Sequence, residues 1–524
     1  MKYLVIFSIT PVQAFINRAR KLSDFFVGSK ILSYLSSVGF DAIEDNDRLY
    51  PSAKSDSIPN KFVFTIEAQN PEQVKSKMKE IEQKIQNAWL ELANITGVPK
   101  DIIDDISDYW NFLWAGVSYD NEQDYQETHS KAQSLLAAIK FKPRKIRKSQ
   151  TGEKCPLCGE NSVWKSDFGA DKKEKLCGVC AIKRLLPEVS DHKLYKLLSY
   201  SSYHSVTEIA MYKYIEKYQI NKYDIEKLQD ETKYNELKDK YGALPTNKEK
   251  YYALLAMDGD SMGDTVSKKT TSKEHSDLSE KLDDFNRSVE KLACFKDVNK
   301  LIYVGGDDVF AVLSLEEAIK IADEIHDLFR EKVGETTISA AIVIAHHKEP
   351  LREVIRDTHN VLDKIAKDKA GRNALAIRLK KRGGGERDLF FKWDAKNPFN
   401  ESETLLESLE ETKDALSKSE LTSSLLYRLE QLRDAVGIKD ITREQILKLF
   451  EYEVAHSIGK DNVKENAKRL VGLCLAEAFD DKGELKAGAY KDNVLKDEIF
   501  NSEAVVIAHF LTPEKSYEKE KDTK

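Results

Sequence analysis

Apolar positions along the first 140 residues alternate between two periods, and each change of period marks an element. The run Tyr3 to Ile9 is β-rich, and Pro11 then opens a helix-period pattern that lasts to about Ile43. A second cycle predicts a strand over Lys61 to Ile66, a helix from Pro71 to Ala93, a strand over Phe112 to Val117 and a helix from Gln123 to Ile139. This is the alternation of a ferredoxin-like βα module. A basic linker, Lys140 to Lys148, leads into a cysteine-bearing insert over 150–182 and a polar helical stretch to about Lys248.

The pattern then repeats more clearly. Tyr252 to Met257 is an apolar run that stops abruptly at Asp258-Gly259-Asp260, and a helix is expected over 273–296. Two short strands, Leu301 to Val304 and Val309 to Leu313, flank Gly305-Gly306-Asp307-Asp308, which is hairpin turn chemistry between β-formers. Helix 315–332, strand Thr337 to Ala345, helix 350–369 and a strand near Ala374 to Ile377 complete this unit. From about Asn400 onward the pattern is helical, ending in a charged tail at 513–524 of disordered character. The expected class is α/β (α+β): a first module over 1–145, an insert and helical region over 146–248, a second module over 249–398 and a helical C-terminal domain over 399–524.

Composition narrows this only slightly. At 41% hydrophobic and 33% charged residues, with no apolar run near the roughly 18 residues that span a bilayer, the chain predicts no transmembrane helix. The segment Met1 to Ile9 superficially resembles a signal sequence. It runs through Pro11 into a charged amphipathic stretch without a small-residue cleavage site, so it reads as the buried first strand of a cytoplasmic protein. A net charge of −7 gives no global nucleic-acid footprint, so any RNA contact must come from local basic patches.

The second module carries the chemistry. Joining a 3′-hydroxyl to an α-phosphate uses divalent cations, and hard Mg²⁺ or Mn²⁺ calls for two or three carboxylates plus phosphate oxygens. A polymerase- or cyclase-type palm offers one acid at the end of its first strand and one or two in the adjacent hairpin; Asp258, Asp307 and Asp308 occupy those places. Gly305 and Gly306 suit a tight turn that a triphosphate must approach. The loop Gly259, Asp260, Ser261, Met262, Gly263 closes a strand before a helix, where backbone N–H groups favour phosphate. Lys369, ending a helix, is a candidate for the γ-phosphate, and equally a dipole-complementing residue before the cap Gly371. The first module carries no such acids.

Cys155 and Cys158, separated by eighteen residues from Cys177 and Cys180, have the spacing of a four-thiolate zinc site. A closed shell of four cysteines leaves no open position, so the Zn²⁺ is expected to be structural. His326-Asp327 lies in an amphipathic helix and reads as a surface pair rather than a phosphohydrolase motif. His346-His347-Lys348 reads as a turn, with Lys348 a weak candidate for nucleotide or RNA.

With these residues in place, the chain resembles the large polymerase-like subunit of type III CRISPR effector complexes, in its Cmr form. The resemblance rests on Ser8 to Ile16, Ala19-Arg20-Lys21, Gly28 to Ser33, the four cysteines, the Asp-Gly-Asp-x-Met-Gly loop, the Gly-Gly-Asp-Asp hairpin and Ser339 to His346. It spans roughly residues 1–395, and Thr10 stands where that family commonly has Gly. It implies antiviral defence by a palm that joins ATP into cyclic oligoadenylate when target RNA meets the guide RNA of the complex. It implies metal at Asp258, Asp307 and Asp308, and triphosphate at Gly259 to Gly263 and Lys369. The chain opens on the first palm strand, so HD nuclease activity is not expected. S-adenosylmethionine is the alternative acceptor. A non-catalytic scaffold gripping guide and target RNA, and a diguanylate cyclase, are the competing readings; the latter is disfavoured because Val309 intervenes before Phe310.

Overall fold

A computed structural model describes residues 1–53, 57–141, 152–168, 173–190, 204–296, 300–418, 420–456, 462–478, 486–492, 494–496 and 499–512. Most of the basic linker and the whole charged tail lie outside the described residues.

The first sheet holds β1 (Lys2–Thr10), β2 (Arg48–Tyr50), β3 (Lys61–Glu67) and β4 (Asn111–Tyr119) in the order β2-β3-β1-β4, with every neighbouring pair antiparallel. This is the split βαβ order of a ferredoxin-like module. One expectation is corrected. The helix predicted from Pro11 to Ile43 is two, Gln13–Ile16 and Leu22–Phe40. The break follows from the Lys183 ammonium, which takes the carbonyls of Phe15 (2.9 Å) and Arg18 (2.6 Å), groups a continuous helix would use internally. The second helix starts where Asp24 accepts the backbone N–H groups of Arg20 and Lys21.

The insert folds as a ribbon, β5 (Lys165–Phe168) against β6 (Glu174–Leu176), followed by a helix over Gly178–Leu185. Arg184 holds it to the first module through two 2.8 Å bonds to buried Asp24.

The second sheet contains β7 (Tyr251–Gly259), β8 (Leu301–Gly305), β9 (Asp308–Ser314), β10 (Ile338–His346), β11 (Ala374–Lys380) and β12 (Glu386–Lys392), in the order β12-β11-β10-β7-β9-β8. Its segment β10-β7-β9-β8 repeats the order of the first sheet. β11 joins parallel to β10, and β12 closes the edge antiparallel. The unbroken apolar run in β7 has a physical cause, because both faces of this sheet are buried. Tyr252, Leu254 and Ala256 face a core shared with the first module. Tyr251, Ala253, Leu255 and Met257 face the helices Ser272–Glu290 and Ala318–Lys332.

The two modules meet reciprocally. The first long helix of the first module, Leu22–Phe40, lies against β8, while the first long helix of the second, Ser272–Glu290, lies against β2. Phe25 and Phe310 meet edge to face at 5.1 Å, and Ser52 bonds Ser279 and Asp283. Equivalent surfaces exchange contacts, as at a two-fold interface between like subunits. The turn between β2 and β3 is thereby brought onto the turn between β8 and β9. Of the C-terminal helices, Ser423–Val436, Arg443–Ala455 and Val463–Leu475 pack mainly around their own core, including Leu425, Leu429, Phe450 and Leu470, whereas Leu405–Ser417 and Glu503–Leu511 send Leu405, Leu409, Ala504, Ile507 and Ala508 into the core of the second module. No helix among the described residues is long and apolar enough to cross a membrane.

Candidate active site at the hairpin acids

The acids come together because two strand ends are tied to each other. β8 and β9 close through the pair Gly305–Asp308, leaving Gly306 and Asp307 as the two-residue turn, with Gly306 at φ +66°. A positive φ at the first turn position alone is the pattern of a type II′ hairpin, whose twist matches its strands. The backbone N–H of Gly259 donates to the Asp307 carbonyl at 3.2 Å, which brings the end of β7, and so Asp258, against the turn. Only glycine allows this approach: a Cβ on residue 259 would stand 2.8 Å from the Asp307 Cβ and 2.9 Å from Met262 Cγ. At Gly306 a Cβ would collide with the Tyr50 hydroxyl.

Crowding of like charge shows in the acids themselves. Burial pushes the Asp307 carboxyl upward, against the pull of Lys61. Asp308 is raised by the surrounding protein and by the charges of Asp307 and Asp363. Carboxyls with pKa values driven up in this way are relieved by a cation. Asp258 has found one already, as it pairs with the Lys367 ammonium. The Asp258, Asp307 and Asp308 carboxylates do not close to within 4.8 Å of one another; among the described residues the groups that do are Cys155, Cys158, Cys177, Cys180 and, separately, Asp323, His326, Asp327.

Some residues of the expected phosphate loop have other partners. The Asp260 carboxylate is buried and accepts from Thr337 Oγ1 (2.7 Å), Ser339 Oγ (2.7 Å) and the Asn373 backbone (2.9 Å), so it fastens β7 to β10 and β11. Ser261 takes a left-handed φ of +53°, and its carbonyl receives the N–H groups of Asp264 and Thr265 to start a short helix at Met262; Gly263 is open to solvent. Lys369 is exposed and lies 4.5 Å from the Phe390 ring centroid, away from the acids. The structure brings Lys367 to Asp258 instead. Lys367 lies on a π-helical stretch over Leu362–Lys369, whose wider turns set side chains out of α-helical phase.

Four residues near the acids carry no recognisable motif: Lys367, Asp363, Lys61 and Tyr50. The last two belong to the first module. The phenol of Tyr50 is held well above its ordinary pKa by burial and by Asp307, Asp283 and Asp308. No sequence pattern marks them, since Lys61 and Tyr50 are placed by packing between modules and Lys367 and Asp363 by the local path of their own helix.

The cysteines fit zinc. All four are buried, and Cys158 and Cys177 stand 3.7 Å apart, sulfur to sulfur. Zn–S bonds of ~2.3 Å in a tetrahedron give an edge of about 3.8 Å. Elsewhere, the surface reading holds for Asp327, which is exposed and accepts from Arg330, but not for His326, which is buried and stacks on Trp393 at 4.5 Å. His347 meets Thr207, and Lys348 pairs with Glu231.

Comparison with known proteins bears on the family and the fold. Residues 251–376 match the family model described as Cas10/Cmr2, second palm domain, and residues 4–56 that of CRISPR-associated protein Cmr2, N-terminal. The chain is similar to the CRISPR system Cmr subunit Cmr2 of Pyrococcus furiosus, at 25% identity over 78% of this chain and 65% of that protein. It thus spans just under two thirds of that relative's length. A stretch of 95 residues is 33% identical to the single-strand-specific deoxyribonuclease Cas10/Csm1 of Mycobacterium tuberculosis, covering 18% of this chain and 11% of that one. In fold, it is similar to a chain of the type III-B Cmr-beta complex in its apo state, with TM-score 0.66 and 15% identity over 98% of this chain and 82% of that chain. It is also similar to a chain of a Csm1–Csm4 cassette in complex with cA4, with TM-score 0.52 and 11% identity over 98% and 70% of the two chains.

Proposed function

Because the chain belongs to the Cmr type of the Cas10 family of type III CRISPR effector subunits, we propose that its second palm transfers adenylate from ATP under the control of target RNA. The product proposed is a cyclic oligoadenylate. The single observation that carries this reading is the junction of β7 with the hairpin, where Gly259 seats Asp258 beside Asp307 and Asp308. These three acids are the residues proposed to hold Mg²⁺ or Mn²⁺. Bound there, the cations supply Lewis-acid activation and neutralise charge in phosphoryl transfer.

The chain's own residues divide the remaining work. Lys367 holds Asp258 as a counter-charge, which a cation taken up by Asp258 would release. Lys61 and Tyr50 approach from the first module, so the site is assembled across the reciprocal interface and needs both palms in register. Lys61 and Tyr50 are half-buried there, which strengthens their charge interactions with the acids. The relative solved with cA4 is a Csm1–Csm4 cassette, and its fold likeness supports the same class of product here. Guide and target RNA and the other complex subunits are the proposed partners.

The test is mass spectrometry of products from ATP, Mg²⁺ and target RNA in the assembled complex, with and without S-adenosylmethionine. Oligoadenylate is expected, and none from the chain carrying Asp307→Ala and Asp308→Ala. Undiminished product from that variant refutes the assignment. An adenylated methionine derivative identifies the other acceptor. Absence of any product, with no change in thermal stability on adding Mg²⁺ and ATP, establishes the scaffold role.

A further inference from the structure

The hairpin acids have a counterpart in the first module, and the strand registers locate it. Ile9 donates its backbone N–H to the Asn60 carbonyl at 2.9 Å, as Gly259 does to that of Asp307 at 3.2 Å. In β2 and β8 the same irregularity separates Arg48 from Tyr50 and Leu301 from Tyr303, and Tyr50 pairs with Val63 as Tyr303 pairs with Phe310. Counted along β3 and β9 from these pairs, Lys61 stands where the second module has Asp308, and Asn60 where it has Asp307. Along β1 and β7, Ser8 stands where it has Asp258.

The chemistry at these places is inverted. Serine, asparagine and lysine offer no carboxylate, so this donor set does not suit a hard divalent cation. Two of the three satisfy each other locally: the Asn60 amide donates to the Ile9 carbonyl at 3.0 Å and to the Ser8 hydroxyl at 3.5 Å. Lys61 is different. It is half-buried, yet among the described residues its ammonium makes no hydrogen bond or ion pair. Burial and neighbouring Lys140 push its pKa down, and Asp307 of the facing hairpin draws it back up. The Tyr50 hydroxyl, also without a hydrogen-bond partner among the described residues, lies over Gly306 of that hairpin. A half-buried polar group left unpaired costs stability, so two of them converging on one turn point to a ligand that pairs with both.

We propose that Lys61 is the first module's fixed cation for the phosphates of the nucleotide at the hairpin acids, with the Tyr50 hydroxyl as a second donor to the same group. This rests on the reading of the second palm as an adenylate transferase. A phosphate oxygen lying between the metal-holding acids Asp307 and Asp308 on one side and the Lys61 ammonium on the other has its charge neutralised from both. An ammonium fixed by the protein also repels a further cation on its own side. The first module thus needs no acids, because its cation is built into the chain.

The experiment is calorimetric titration of the full chain with α,β-methylene-ATP at saturating Mn²⁺, with Mn²⁺ binding followed separately by electron paramagnetic resonance. Lys61→Met should weaken binding of the analogue by at least about tenfold, and Tyr50→Phe by about threefold. Lys61→Arg should retain most of the affinity. Mn²⁺ binding should be undiminished in all three variants. The melting temperature of Lys61→Met should be equal or higher, because the substitution removes an unpaired charge, whereas a lysine that merely holds the fold would show the reverse. Unchanged affinity for the analogue in Lys61→Met, or a loss accompanied by a lower melting temperature, overturns the proposal. The metal assignment survives that result if Asp307→Asn with Asp308→Asn abolishes Mn²⁺ binding. No Mn²⁺-dependent binding of the analogue by the unaltered chain overturns both.

Discussion

Replacing Gly259 with Ala tests the junction on which the site depends. The added methyl group would sit 2.8 Å from the Asp307 Cβ, 2.9 Å from Met262 Cγ and 3.0 Å from Asp307 Oδ2. Restoring an ordinary contact at 3.4 Å requires the strand end and the hairpin to part by about 0.6 Å. Met262 is partly exposed and can turn aside. Asp307 cannot, because it is one of the two residues of a tight turn. The movement therefore stretches the 3.2 Å bond from Gly259 N–H to the Asp307 carbonyl and separates Asp258 from Asp307. Overpacking of this kind costs ~1–3 kcal/mol in stability. Misplacement of catalytic groups by an ångström costs roughly 10²-fold in rate, and a shift of this size should cost ten- to a hundredfold. The assay pairs thermal unfolding with ATP turnover in the assembled complex at saturating Mg²⁺. A variant that keeps wild-type turnover refutes the claim that this approach sets the site. A variant that loses turnover only in proportion to a loss of folded protein refutes it as well.

Other perturbations probe the surrounding structure. His129 and His275 meet at 5.0 Å between the modules, and burial together with Lys61 depresses them to about 4 and about 3. The unfolded chain takes up these protons first, so stability should fall as pH drops below about 6.5 toward 4, and a His275→Gln variant should flatten that slope in denaturant titrations. Removing one partner of the buried Arg184–Asp24 pair by Arg184→Met should cost ~3–5 kcal/mol, and adding Asp24→Asn should recover part of it. Metal analysis should find one zinc per chain. Cys177→Ser should lower the melting temperature, and equal stability with and without a strong chelator would count against the zinc assignment.

Much of this was legible in the sequence for reasons that are local. A four-cysteine spacing, a turn with Gly at a positive φ, and strand or helix periodicity each depend on residues close together in the chain. The fold class and the places of Asp258, Asp307 and Asp308 at a strand end and a hairpin therefore followed from pattern alone. The break at residues 17–21 did not, because its cause is Lys183, far along the chain. β2 is three residues long, too short to show a period. Lys369 was a candidate because it ends its helix, but it is Lys367, on a π-helical stretch, that pairs with Asp258. Asp260 looked like a phosphate-loop acid until Thr337, Ser339 and Asn373 were seen to occupy it. Tyr50 and Lys61 carry no signal at all, since their place beside the acids is decided by how two like modules pack against each other. Sequence determined which acids stand at a strand end and a hairpin and which cysteines pair in spacing; the tertiary structure decided which neighbours surround them, because charge and contact act across space rather than along the chain.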